Sequence, residues 1–110
     1  MSVSKELSLL GLAAKAGRIV SGEFATEKAV KSGKAYLVLV AGDASDNTKK
    51  SFTDMCTYYK VPFYMVGSKE ELGNAIGKEY RASVGVTDSN FAVAMIKKLE
   101  QAGKKKEANI

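Results

Sequence analysis

Apolar positions along this chain switch between helical and extended spacing. From Ser4 to Lys15, Leu7, Leu10 and Ala14 recur at helical intervals, and Leu9, Leu12 and Ala13 widen that apolar face. Gly17 follows as a left-handed helix end. "RIVS" is a short strand, and a second helix begins at Ser21-Gly22 and stops at Ser32-Gly33. "AYLVLVAGD" is a near-continuous apolar run, as expected of a strand covered on both faces. Asp43 to Asn47 supplies a turn and a cap for a third helix reaching about Tyr59. "VPFYMVG" is a strand, with Pro62 tolerable at its start. Ser68 heads the helix "KEELGNAIG", with Glu71 at the capping-box position. "SVGVTD" is the last strand. "SNFAVAMIKKLEQAG" is the last helix, with Phe91, Ala92, Ala94, Met95 and Leu99 as its core candidates.

Helices and strands therefore alternate from end to end. This order predicts an α/β fold with a central sheet and helices on both faces. Strands reached through helices are expected to run mainly parallel, with room for one antiparallel strand. Residues 1–102 form one domain in this reading, and 103–110, with Lys104, Lys105 and Lys106, a frayed basic tail.

Composition narrows the chemistry. The 110 residues are 45% hydrophobic and 26% charged, which fits one folded domain with its own core. No window approaches the ~18 apolar residues of a membrane span. The first residues, interrupted by Lys5, Glu6 and Lys15, read as an amphipathic helix rather than a signal peptide, so the cytoplasm is the expected compartment. Histidine is absent and Cys56 is the single cysteine. That removes His-based nucleophile triads, internal disulfides and cysteine–histidine zinc sites. Cys56 reads as a small buried residue. "SGKA" fails as a phosphate loop, because Ala35 follows Lys34 and Lys28 stands where the first glycine is needed. No dinucleotide-binding glycine pattern follows a strand. Asp43 and Asp46 at a strand–helix junction read as turn and cap rather than a catalytic pair. No enzyme and no cofactor is predicted. The net charge of +5 suits a polyanionic partner.

The second helix, within "SGEFATEKAVKSGKA", carries the sharpest signal. At about 100° per residue, Ala25, Thr26, Ala29 and Val30 share the side facing the sheet. Phe24, Glu27, Lys28 and Lys31 share the other. Gly22 at its start lets another backbone approach closely, and the first amides are free to meet phosphate oxygens. Lysines on phosphates with an aromatic stacked on a base make a sensible RNA contact. The competing reading leaves the lysines solvated and folds Phe24 over the sheet edge.

The segments "KAGRIVSGE", "AVKSGKAYLVLVAGDAS", "ELGNAIGK" and "VGVTDSNFA" together resemble the kink-turn RNA-binding L7Ae family of ribosomal proteins, in its small bacterial YlxQ-like branch. The resemblance runs from about Leu7 to Leu99. It implies a three-layer α/β/α sandwich with a four-stranded mixed sheet. It implies binding to the sheared G·A pairs of a kink-turn through the start of the second helix, here Gly22, Glu23, Phe24, Ala25 and Lys28; Lys31 is a candidate from its place on the same outer side of that helix. A loop after the fourth helix would cover an extruded base, here Gly77, Lys78, Glu79, Tyr80, Arg81 and Ala82, leading into Ser83. Tyr80 would stack on the base and Arg81 reach a phosphate. Lys15, Arg18 and Lys34 are further candidates for phosphate contacts. Typical archaeal and eukaryotic members of that family carry Gly-Thr-Asn-Glu at the helix start, then Lys three residues later, the position of Lys28 here. Phe24 and Ala25 stand here in place of Asn and Glu, and neither can hydrogen-bond a base edge.

The expected partner is a structured RNA of the kink-turn type, in a ribosome or an RNA leader, bound by a protein that is a monomer when free. No membrane is involved. The alternative is a protein-interaction module that kept the fold and lost kink-turn recognition, with Phe24 as an interface anchor.

Overall fold

Short polar residues start the helices of this chain. The computed structural model describes residues 4–107. Its elements in order are α1 (Lys5–Lys15), β1 (Ile19–Ser21), α2 (Glu23–Lys31), β2 (Leu37–Val40), α3 (Asp46–Tyr59), β3 (Phe63–Met65), α4 (Lys69–Ala75), β4 (Ser83–Val86) and α5 (Ser89–Gln101). Ser4, Ser45, Ser68 and Asp88 accept hydrogen bonds from the opening amides of α1, α3, α4 and α5. Such caps satisfy donors that the helix cannot pair internally. Asp43 Oδ1 accepts from Lys69 N–H at 2.8 Å, so this carboxylate ties the β2–α3 turn to the start of α4.

The sheet order is β1-β4-β2-β3. Only β2 and β3 pair in parallel; β4 lies between β1 and β2 and runs antiparallel to both. β1, β2 and β3 therefore point the same way and β4 is the one antiparallel strand, as the sequence reading allowed, and the sheet is mixed. The cause is the β3–β4 connection. Arg81 N–H donates to the Lys69 carbonyl at 3.0 Å, so the chain after α4 returns beside the first turn of that helix. It re-enters the sheet at the end where β3 left it. A parallel strand would have needed a crossover spanning the sheet.

Helices α2 and α3 cover one face; α1, α4 and α5 cover the other. Burial follows: every residue of β2 and β4 is buried. Phe52 and Cys56 of α3, Leu10 of α1, Leu72 of α4, and Met95 and Leu99 of α5 are fully enclosed. Each large apolar side chain so enclosed stabilises the fold by about 1.5–3 kcal/mol. Phe91 and Ala94 are only half-buried.

Two further expectations change. Leu12 is not core but 55% exposed. The buried arc of α1 runs through Glu6, Leu7, Leu10 and Ala13, because α4 and α5 both pack on that side. Residues 104–107 have no regular structure, yet Glu107 N–H donates to the Phe63 carbonyl at 2.7 Å, on the outer edge of β3. The frayed tail of the sequence reading is therefore fastened at this point, and its residues 108–110 lie outside the described part.

Candidate nucleic-acid interface

The mixed topology brings two separate segments together. Because β1 and β2 both oppose β4, the end of β1, the start of β4 and the start of α2 share one end of the sheet. Gly22 N–H donates to the Ser83 carbonyl at 3.0 Å. Arg81 Nε donates to Ser21 Oγ at 3.3 Å, and its Nη1 to the Tyr80 carbonyl at 2.7 Å. These bonds stitch the 77–82 loop to the first residues of α2. Arg81 is thus partly engaged within the protein.

α2 starts differently from its neighbours. Gly22 is its N-cap, with φ 91° and ψ 158°, and no side chain caps the helix. This positive φ requires glycine. A Cβ built there would meet nothing within 4 Å, so dihedral freedom, not a crowding backbone, accounts for Gly22 in the free protein. The opening amides, of Glu23, Phe24 and Ala25, make no hydrogen bond among the described residues. Thr26, Ala29 and Val30 are buried against the sheet, as the helical wheel predicts; Ala25 is half-buried. Phe24 points outward at 81% exposure. It does not fold back over the sheet edge.

Phe24, Glu27, Lys28, Lys31 and Ser32 line a shallow depression of about 350 Å³. A second hollow shares Phe24, Lys28 and Ser32 with it and adds Val20, Ala25, Ala29 and Lys34. Lys31 Nζ donates to Glu27 Oε2 at 2.8 Å. That hydrogen bond, reinforced by the carboxylate charge, raises the Lys31 ammonium above its ordinary value. Lys28 forms no ion pair among the described residues. It is the less encumbered cation on this face. Arg18 lies 3.9 Å from Asp88 at the opposite end of β1, and Lys15 lines a groove with Asn74 and Gly77. Neither joins the α2 depression.

In the loop, Lys78 and Glu79 are exposed and Tyr80 is 61% exposed; Ala82 is half-buried. The loop owes its path to Gly73. A Cβ there would lie 2.3 Å from the Glu79 carbonyl oxygen, so only glycine lets the loop close over α4. Sequence reasoning did not single out Gly73, although a glycine inside a helical pattern is a sign of close backbone approach. It named Ser21 at the start of the second helix and Ser83 at the end of the loop, but not the bonds they make. Their partners are 60 residues away or on another strand, and nothing local marks them. Among the described residues no acidic, cysteine or histidine cluster could hold a metal ion, and no helix is long and apolar enough to cross a membrane.

Known proteins resemble this chain in sequence and in fold. Residues 5–96 match the model of the Ribosomal protein L7Ae/L30e/S12e/Gadd45 family. RNA-binding protein YlxQ of Bacillus subtilis (strain 168) is 48% identical over 100 residues, covering 91% of this chain and 100% of that protein. RNA-binding protein YlxQ of Enterococcus faecium is 42% identical, covering 80% and 84%. A solved structure from Bacillus halodurans C, described as of unknown function, superposes with a TM-score of 0.87 at 41% identity, over 89% of this chain and 99% of that one. The Giardia lamblia 15.5kD RNA binding protein superposes with a TM-score of 0.74 at 27% identity, over 86% and 84%. With a match across nearly the whole chain and these identities, the protein belongs to the Ribosomal protein L7Ae/L30e/S12e/Gadd45 family.

Proposed function

We propose that this protein is a non-enzymatic RNA-binding protein that recognises a kink-turn or similarly G·A-paired RNA. The observation that carries the reading is the seam between the uncapped start of α2 and the 77–82 loop. Beside this seam Phe24 and Tyr80 are exposed, and Lys28 and Lys78 are exposed cations suited to phosphates. Relatives named as RNA-binding proteins support it.

Energetics decide how Phe24 fits. Losing the Asn and Glu base contacts costs about 1–3 kcal/mol each. One base stacked on Phe24 contributes about 1–3 kcal/mol. Stacking therefore offsets about one of the two lost contacts. The protein binds as a cytoplasmic monomer, on a ribosome or an RNA leader. If about three to five phosphates are engaged, log K falls against log salt with a slope of about −2 to −4.

The test is a fluorescence titration of a kink-turn RNA against the same RNA with Watson–Crick pairs replacing its G·A pairs, at two salt concentrations. Preferential, salt-sensitive binding of the kink-turn is expected. Equal weak binding to both would overturn the reading and favour a protein-interaction module anchored by Phe24.

A further inference from the structure

The far end of the α2–α3 layer carries aromatic surface that neither the core nor the seam uses. α2 follows β1 and α3 follows β2, and these strands point the same way. The two helices therefore leave the same end of the sheet and run side by side. Their last turns carry Lys31 and, on α3, Tyr58 and Tyr59. Tyr58 is 77% exposed and Tyr59 41%. Their rings meet edge to face, with centroids 4.8 Å apart and planes at 75°. The core at this end is already filled by Phe52, Cys56 and Val61.

We infer that the outer face of α2 and α3 is a track for single-stranded RNA leading from the kink-turn seam, with Tyr58 and Tyr59 as its distal stacking platform. The inference rests on the RNA-binding reading above. Continuity comes from Phe24, Lys28 and Lys31, which line one depression along the length of α2. Lys31 and Tyr59 are the last residues of α2 and α3, two helices that pack against each other. Lys60, the left-handed residue that ends α3, adds a cation beside Tyr59. Of the four carboxylates on these helices, Glu27 and Asp54 are paired with Lys31 and Lys50, and Glu23 and Asp46 lie in the first turns, at the seam end. Beyond those turns Lys28, Lys31, Lys50 and Lys60 face only Glu27 and Asp54, so the distal part of the track carries an excess of cations beside its aromatic rings. Exposed rings stack on unpaired bases, which a duplex does not offer, so single-stranded RNA is the fitting occupant.

Geometry sets the length. The helix from Gly22 to Lys31 rises about 14 Å. At about 3.4 Å per stacked nucleotide, roughly four nucleotides reach Lys31 and one or two more reach the tyrosines.

The test uses the kink-turn RNA bare and with oligouridine extensions of two to eight nucleotides on either strand. Wild type is expected to gain about tenfold or more in affinity once one strand's extension passes about five nucleotides. The Tyr58→Ala/Tyr59→Ala protein is expected to bind the bare RNA as wild type does and to lose the gain; Tyr58→Phe/Tyr59→Phe keeps it. Should the double alanine variant unfold more readily, Tyr58→Ala alone, at the more exposed position, carries the test. No gain from either extension, or a gain retained without the rings, overturns the track and leaves the tyrosines to a protein partner. Failure of the kink-turn reading appears separately, as equal binding of the bare RNA and its Watson–Crick control. Tyrosine-dependent binding of oligouridine in that case would still uphold the track.

Discussion

Gly73→Ala isolates the contact that shapes the loop. In an open helix this change stabilises by roughly 0.5–1 kcal/mol, through lower backbone entropy in the unfolded chain. Here the new methyl lies 2.3 Å from the Glu79 oxygen, 2.6 Å from its carbonyl carbon and 2.9 Å from the Tyr80 nitrogen. All three are backbone atoms, so no side-chain rotation relieves them. The oxygen must retreat by about 0.7 Å merely to reach 3.0 Å, a separation that real contacts essentially never undercut. Overpacking of this kind costs about 1–3 kcal/mol, with the upper end apt for rigid backbone. The clash outweighs the propensity gain, and a net loss of about 1–2 kcal/mol is expected. For a chain of this size that lowers the melting temperature by roughly 4–15 °C. Because the displaced atoms belong to Glu79 and Tyr80, kink-turn affinity should fall as well, even where the protein is fully folded. Urea unfolding gives the first quantity and RNA titration at low temperature the second. A variant as stable as wild type with unchanged RNA affinity would refute both the packing argument and the role of the loop.

Other substitutions separate binding from folding. Phe24→Ala should leave the melting temperature unchanged, since the ring is 81% exposed, and weaken kink-turn binding by about 5- to 150-fold; an equal loss on unstructured RNA would remove the stacking role. Thr26→Val should stabilise by about 1 kcal/mol in urea unfolding, because the Thr26 hydroxyl is buried with no partner among the described residues. A loss of stability would show that this hydroxyl is satisfied. Burial pushes the Cys56 thiol up from 9.0 to about 12. The folded state thus holds this proton more tightly than the unfolded chain does. The associated stability is complete below pH 9 and disappears between pH 9 and about 12. Iodoacetamide at pH 8 should therefore modify Cys56 only after unfolding; rapid labelling of the native protein would contradict its burial.

The amphipathic patterns and polar starts determined the helices and strands locally. Leu7, Leu10, Met95 and Leu99 declared their faces by spacing, and Ser68 declared a helix start, because each effect acts within one or two turns. Strand order was not legible. The place of β4 between β1 and β2 depends on where the 77–82 loop returns, a long-range packing outcome fixed by Gly73 against Glu79 and by Arg81 against Lys69. Leu12 shows the same limit: its apolar character was visible, but which side of α1 receives α4 and α5 was not.

The candidate interface divides along the same line. The sequence by itself determined that Thr26, Ala29 and Val30 of α2 would be buried and that Phe24 and Lys28 would lie on the opposite side, since helical periodicity settles that within one element; that Phe24 stands clear of the sheet edge was decided by the structure. Only the tertiary structure decided that Tyr80 and Arg81 would stand beside Gly22. Their neighbourhood rests on Arg81 meeting Ser21 and Gly22 meeting Ser83 across 60 residues or so of chain. Such contacts form only when the whole sheet closes, because the entropy of joining distant segments is recovered through the burial of the entire core.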